Sequence, residues 1–228
     1  MISHQYNCVF IHIPKTAGTS IERKLGHFDA NLVGPDGFIP QDVQDHRTIR
    51  QLEPVSLGAL SSAMFRNLGS ASALREVVAR YRSRELSRRQ FDSYYKFTIV
   101  RNPWSRALSW YKNVMRDEVL KARLKVEASC SFEEFMTTRG DTWGLKSQLH
   151  WIRNAKKQVA MDVIGKFETL EQDFSTICDA IGVTDKTLPR LVISDTAHHE
   201  HHFAAATIDL VYKKYRKEIR LFGYEFDG

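Results

Sequence analysis

The sequence predicts an α/β fold: a single P-loop-like domain with a central parallel sheet and helices on both faces. The prediction depends on two apolar runs, residues 8–13 and 97–100, which have the length of buried strands and lead into helical patterns. Strands that alternate with helices run in parallel, so we expect a ligand site at their carboxyl ends. The chain has 228 residues, of which 43% are hydrophobic, and we expect one domain over residues 1–228.

The first strand leads into a basic turn, residues 14–20, and then a helix start. The first N–H groups of a helix lack internal partners and lie at the positive end of its dipole, so this turn suits a phosphate. Lys15 adds a charge, Thr19 and Ser20 add hydroxyls, and Gly18 lacks the Cβ that would hold the backbone away from a ligand. The lysine comes earlier than in the common nucleotide-binding loop. A solvated connection is the alternative interpretation.

The second strand is followed by Arg101, which is thus fixed at the carboxyl end of the sheet. Asn102 can cap the next helix, and Pro103 suits its first position. Ser105 and Ser109 share one face of that helix, so Arg101 and a helix hydroxyl can surround a second phosphate. On the other face we expect an apolar stripe to pack on the sheet. The stripe consists of Trp104, Ala107, Leu108, Tyr111, Val114 and Met115.

Capping and periodicity signals predict the remaining elements. Ser131 has the capping-box spacing to Glu134, and two amphipathic patterns stop at Gly182 and Gly223. In chain order the predicted elements are a short segment near 30–33 and helices around 56–67, 72–90, 131–136, 170–181 and 208–222.

The two turn segments resemble the cofactor signatures of sulfotransferases that use 3′-phosphoadenosine 5′-phosphosulfate (PAPS). The likeness is to the carbohydrate branch that contains heparan sulfate 2-O-sulfotransferases and bacterial relatives, and residues 162–174 and 221–224 extend it. The resemblance implies that the first segment binds the 5′-phosphosulfate and the second binds the 3′-phosphate. The implied cofactor-binding residues are Pro14, Lys15, Thr16, Ala17, Gly18, Thr19, Ser20, Arg101 and Ser109. Family members often have glycine in place of Ala17.

The resemblance further implies an enzyme that moves a sulfuryl group from PAPS to an acceptor hydroxyl of a glycan or glycolipid, without a metal ion. Transfer needs a base for the hydroxyl proton and a group that stabilises charge on the leaving phosphate. We predict Lys15 for the stabilisation. We predict His46 as the base, because histidine titrates near neutrality and its segment resembles a histidine-containing segment of the family. A capping or surface histidine is the alternative.

Three further segments contain histidine or aromatic residues. His12 lies inside the first predicted strand, so we expect a buried structural histidine. The cluster from His198 to His202 could hold a metal ion, but no second ligand cluster supports it, and we expect a mobile loop near the cofactor. Residues 148–151 are predicted to line the acceptor pocket, since polar edges and aromatic faces suit sugars; a core position for Trp151 is the alternative.

The net charge of +6 indicates attraction to an anionic ligand. Much of the excess lies in the predicted helix 72–90, for which we expect a solvated face; a track for an acidic acceptor is the alternative. Its arginines are Arg75, Arg80, Arg82, Arg84, Arg88 and Arg89.

The sequence contains no run of about 18 uncharged apolar residues, the length that a membrane span requires. We therefore expect a soluble protein and, because animal relatives are membrane anchored, a bacterial-type cytoplasmic enzyme. Cys8, Cys130 and Cys178 have no metal-binding spacing, and we expect buried thiols at Cys8 and Cys178.

Two other functions remain open. A P-loop-type nucleotide-dependent kinase or hydrolase would use the basic turn, but it needs magnesium ligands, and neither main strand ends in an acidic residue. A noncatalytic binder of anionic polymers would use the arginines of residues 72–90. That function would leave the paired turn segments without a role, so we expect no nucleic-acid partner.

Overall fold

A computed structural model describes residues 1–28, 44–54, 85–189 and 203–226, with scattered positions between 58 and 78. The described part is an α/β fold around a four-stranded sheet in the order β1-β2-β3-β4. The pair β1–β2 is antiparallel, and β2–β3 and β3–β4 are parallel. The predicted parallel sheet is thus confirmed for three strands, and the antiparallel edge strand is an addition. The strands are β1 Ile2–Ser3, β2 Cys8–Ile11, β3 Tyr95–Val100 and β4 Val163–Lys166.

Helices cover both faces of the sheet, as predicted. Val9 and Ile11 of β2 pack with α2, α3 and α7, whereas Cys8 and Phe10 point to the opposite face and pack with α1 and α8. Among the described residues no helix is long and apolar enough to span a membrane. The described helices are α1 Gly18–Lys24, α2 Ile49–Leu52, α3 Arg88–Ser93, α4 Pro103–Arg116, α5 Glu118–Leu124, α6 Phe132–Arg139, α7 Gln148–Ile152, α8 Leu170–Ile181 and α9 Ala205–Phe222.

Local signals set several helix ends. Gly182 and Gly223 follow α8 and α9 with φ angles of 76° and 65°, a left-handed conformation that glycine adopts without a steric cost. The Ser131 side chain accepts a hydrogen bond from the Glu134 N–H, so the predicted cap is confirmed, and α6 continues beyond the predicted end to Arg139. All three cysteines are free and buried.

The apolar stripe of α4 packs differently from the prediction. Its residues belong to a cluster with α5, α6 and α9, and no strand residue belongs to that cluster. The expectation that this stripe packs on the sheet is therefore wrong. Amphipathic spacing shows which side of a helix is buried, but it does not identify the partner.

The single helix predicted over 72–90 is also wrong, because residues 85–87 are not helical. Ser87 has φ −69° and ψ 160° and begins α3: its side chain accepts from the Gln90 N–H, and the Gln90 side chain accepts from the Ser87 N–H. Arg80, Arg82 and Arg84 lie outside the described residues, as do the segment near 30–33 and much of 56–67.

Candidate functional site

The turn after β2 is held by its own backbone contacts. The Thr16 hydroxyl is fully buried and donates to the Ile13 carbonyl at 2.9 Å, so it shapes the turn from inside. Lys15 and Ala17 have left-handed φ angles of 70° and 63°. Glycine is favoured at such a position, so alanine at residue 17 carries a steric cost that glycine would not.

Gly18 allows α1 to approach β2 closely. A Cβ built on Gly18 would lie 1.9 Å from Cδ2 of His12, whose ring is 2% exposed. Packing against His12 therefore requires glycine here, whereas the sequence prediction attributed the glycine to the approach of a ligand. His12 is buried, as predicted, and its Nδ1 lies 3.2 Å from Oε2 of the buried Glu22.

The two predicted phosphate segments meet at the carboxyl ends of β2 and β3. Arg101 is 3% exposed, and its Nη1 donates to the Lys15 carbonyl at 3.2 Å. Its guanidinium stacks 4.0 Å from the centre of the Phe167 ring. The Lys15 Nζ donates to Oδ1 of Asn113 on α4 at 3.1 Å. We call Lys15, Arg101, Ser109 and Asn113 the donor corner.

Gln148 fixes the backbone of Arg101. The Arg101 N–H donates to Oε1 of Gln148 at 2.8 Å, and Nε2 of Gln148 donates to the Arg101 carbonyl at 2.9 Å. Glu218 of α9 accepts from the Gln148 backbone N–H at 2.6 Å and from its Nε2 at 3.1 Å. Gln148 and Trp151 are buried, so Trp151 takes the core position that was its alternative and Gln148 does not line a pocket. Leu149 and the exposed His150 line a surface groove.

Burial and neighbouring cations lower the pKa values of Lys15 and Arg101 in the donor corner. Burial, with the charges of Arg101 and Arg116, lowers the pKa of Lys15 to about 8. Burial lowers the pKa of Arg101 to about 10, and Arg106 acts in the same direction while Glu168 opposes it. Both side chains still carry a proton at neutral pH. A bound anion would relieve the electrostatic cost of holding these charges together.

Two buried polar atoms of the donor corner have no hydrogen-bond partner among the described residues. They are Nε of Arg101 and Oγ of Ser109, which is 3% exposed. A buried donor without a partner costs about 1–3 kcal/mol, so native structures rarely retain one without a reason. A phosphate group would accept from both atoms, and these residues therefore fit the 3′-phosphate of PAPS.

The other loop residues differ in their surroundings. Pro14 is buried, while Thr19 and Ser20 at the start of α1 are half-buried. The Thr19 hydroxyl donates to Oε1 of Gln44 at 3.1 Å. No side chain caps α1 at Ala17.

His46 lies beside His12, on the segment that precedes α2. Its Nδ1 donates to the His12 carbonyl at 3.1 Å, which leaves Nε2 without the proton in the neutral ring. Burial lowers the pKa of His46 to about 3, and the neighbouring His12 adds to the shift. The ring is therefore neutral at physiological pH. Its segment is fixed to α1, because the Asp45 N–H donates to Oε1 of Glu22 at 3.0 Å.

Comparison with known proteins decides the family. A profile of the sulfotransferase family matches residues 1–225. The chain belongs to the sulfotransferase family. Carbohydrate sulfotransferase 10 of Gallus gallus is 26% identical over 175 residues, which cover 60% of this chain and 48% of that protein. The Homo sapiens protein of the same name is 26% identical over 174 residues, 60% of this chain and 49% of that protein.

An uncharacterized protein of Archaeoglobus fulgidus is 28% identical over 103 residues, 44% of this chain and 78% of that protein. The chain spans about half the length of the carbohydrate sulfotransferase 10 proteins that it matches. No solved structure gives a significant match. The sulfotransferase family is thus established, while the heparan sulfate 2-O branch and the bacterial type stay predictions.

Two residues of the candidate site were not predicted from the sequence. Asn113 lies four residues after Ser109 and therefore on the same helix face, a spacing that could have identified it. Trp143 lies in the 3₁₀ turn Trp143–Leu145, its side chain is 38% exposed, and its ring centre is 4.9 Å from that of His46. No periodic pattern marks such a turn.

The possible metal cluster from His198 to His202 lies outside the described residues. Within the part of the chain that the structure describes, no three His, Cys, Asp or Glu side chains are grouped as metal ligands.

Proposed function

We propose that this chain is a PAPS-dependent sulfotransferase that acts on a hydroxyl group of a carbohydrate. The observation that carries the proposal is the meeting of the half-buried Lys15 and the buried Arg101, two cations from different strand ends. Beside them, polar atoms of Arg101 and Ser109 have no hydrogen-bond partner among the described residues. Family membership supports the transfer reaction, and the similarity to carbohydrate sulfotransferase 10 supports a carbohydrate acceptor. We also propose that residues 1–228 belong to one P-loop-like domain, with residues 14–20 as its phosphate-binding loop.

The donor corner would hold both ends of PAPS, which supplies an activated sulfuryl group and leaves as adenosine 3′,5′-bisphosphate (PAP). Lys15 would hold the 5′-phosphosulfate and stabilise charge on the leaving phosphate, because its ammonium group is held by Asn113 inside a low-dielectric site. Arg101 and Ser109 would hold the 3′-phosphate. The fixed backbone of Arg101 limits the entropy that its side chain loses on binding.

His46 would accept the proton of the acceptor hydroxyl at Nε2. The hydrogen bond from Nδ1 to His12 selects the tautomer with a free Nε2, as a general base requires. A pKa of about 3 makes the ring a weak base, and the negative charges of a bound donor would raise that pKa. The exposed part of Trp143 beside His46 offers an apolar face to the acceptor sugar.

Thermal unfolding with PAP or with ATP and Mg²⁺ tests the donor assignment. We expect PAP at about 100 times its Kd to raise the Tm by about 5–10 °C, and ATP with Mg²⁺ to have a much smaller effect. An equal or larger shift with ATP and Mg²⁺ would favour the kinase or hydrolase function. The second measurement is mass-spectrometric detection of sulfated product from PAPS and a panel of glycans.

Matched variants separate donor binding from folding. Lys15→Ala should remove most of the PAP-induced shift, and Asn113→Asp should also reduce it, because a carboxylate beside Lys15 repels the 5′-phosphate of PAP. Lys121→Ala changes a lysine paired with Glu118 on α5 and should keep the shift. A Lys15→Ala protein that folds and retains the full PAP shift would contradict the assignment.

A further inference from the structure

A second cationic site lies on the other side of α7 from the donor corner. It is a groove with a volume of 530 Å³, lined by residues of α2, α7, the 153–157 segment and α9. This volume falls within the roughly 300–1,000 Å³ that is usual for ligand sites. Seven of its fourteen lining residues are lysine or arginine. We call this site the basic groove; its cations are Arg50, Arg153, Lys157, Lys213, Lys214, Arg216 and Lys217.

The carboxylates around the basic groove do not neutralise it. Its one acidic lining residue, Glu218, is fully buried and accepts hydrogen bonds from Ser147 and Gln148. Lys213 and Lys214 pair with carboxylates on the outer surface, Asp209 and Asp141. Exposed pairs of this kind contribute about 0–1 kcal/mol, so both lysines remain able to attract an anion.

Four other cations of the groove have no carboxylate partner among the described residues: Arg153, Lys157, Arg216 and Lys217. On α9, Lys213 and Lys217 are four residues apart, a like-charge spacing that destabilises a helix slightly. The charges of Lys146 and Arg50, after burial, also lower the pKa of His150 at the groove. The groove is thus a region of positive potential on which a ligand with several negative charges would bind.

The lining distinguishes between classes of polyanion. Proteins that bind single-stranded nucleic acid combine cations with exposed aromatic rings on which bases stack. The aromatic ring of the basic groove, Tyr215, is 1% exposed, and its hydroxyl donates to the Leu145 carbonyl. At the same surface Asn154 uses Oδ1 to accept from the Lys156 and Gln158 N–H groups, and its side-chain N–H₂ can instead donate to sugar hydroxyls and carboxylates.

The groove begins close to the reactive residues. Thr48 lies two positions after His46, and His150 precedes Trp151, whose ring centre is 6.2 Å from that of His46. We propose that the basic groove binds an acidic polysaccharide, through uronate or sulfate groups of sugars beyond the one that reacts. Its part in catalysis rests on the proposed function: binding energy from these remote sugars would hold the acceptor against His46.

Binding of a fluorescently labelled, unsulfated chondroitin oligosaccharide tests this proposal directly, without PAPS. We expect the double variant Arg216→Glu/Lys217→Glu to weaken this binding by about tenfold or more, because both changes place carboxylates in the groove. Arg123→Glu/Arg220→Glu makes the same change in net charge at exposed residues that do not line the groove, and it should keep most of the affinity. Circular dichroism and Tm establish that both variants fold.

The outcomes separate this proposal from the donor assignment. Equal weakening by both double variants, or no binding of the oligosaccharide by the unmodified protein, would overturn the groove proposal. Tighter binding of an oligothymidylate of similar charge, lost in the groove variant, would assign the groove to nucleic acid instead. The PAP-induced Tm shift should be unchanged in the groove variant. If PAP does not raise the Tm of the unmodified protein, the donor assignment is overturned but the groove proposal is not.

Discussion

The donor corner and the basic groove both concentrate positive charge, but they do so in different environments. Arg101 is 3% exposed and has its guanidinium on Phe167, whereas Arg216 and Lys217 extend from the surface of α9. Buried charges interact strongly over short distances and are fixed by their surroundings; exposed charges interact weakly and are screened by salt. Buried, fixed charges therefore suit a single small anion, and exposed charges suit a long one.

Proton transfer from the acceptor hydroxyl, which we propose for His46, involves neither cationic region and should be the most sensitive to mutation. His46→Asn should lower kcat by about 10²–10⁴-fold, because it removes the proton acceptor, while PAP and oligosaccharide binding stay within about twofold. The measurements are sulfated product per unit time and the two binding titrations. His27→Asn, at an exposed histidine shortly after α1, is the control. Retained turnover in His46→Asn would remove this residue from the base role.

Salt should separate the two regions next. Between about 50 and 500 mM NaCl the Debye length falls severalfold, so the affinity of the basic groove for the oligosaccharide should drop by about tenfold or more. PAP affinity should fall less, because Arg101 is buried and Lys15 is half-buried, and buried charges are screened less by salt. Fluorescence anisotropy and calorimetry provide the two affinities. If the two affinities depended equally on salt concentration, the proposed difference in charge screening between the two regions would be wrong.

The smallest effects concern the backbone that supports the donor corner. Gly18→Ala should destabilise the fold by about 1–3 kcal/mol, since the new Cβ would overlap the His12 ring. Ala17→Gly should stabilise it by about 1 kcal/mol or less, because the strain of the left-handed φ is offset in part by glycine's larger loss of entropy. Urea unfolding measures both. A neutral Gly18→Ala variant would mean that α1 can move away from His12.

Much of the donor corner could be predicted because Lys15 and Arg101 follow closely after two strands. The chain itself places Lys15 and Arg101 at neighbouring strand ends, so two short segments and the rule for parallel sheets were sufficient. The basic groove could not be found this way. Its cations come from segments around residues 50, 155 and 215, and the sequence showed a more conspicuous run of arginines at 72–90.

Other differences have local physical reasons. Strand β1 has two residues, too few for any periodicity. Gln148 was assigned to a pocket because a polar residue near tryptophan suits a sugar site, and its actual partners, Arg101 and Glu218, are distant in sequence. In contrast, the break before α3 is visible in the sequence as the capping-box pair Ser87 and Gln90.

Hydrogen bonds of Glu218 and Gln148 connect the two cationic regions. Glu218 belongs to the same helix as Arg216 and Lys217 and accepts hydrogen bonds from Gln148. Gln148 in turn bonds to both the N–H and the carbonyl of Arg101. We therefore expect a displacement of α9 on polymer binding to shift Gln148 and, through it, the main chain of Arg101. If the polysaccharide changes the affinity for the nucleotide by some factor, the nucleotide must change the affinity for the polysaccharide by the same factor.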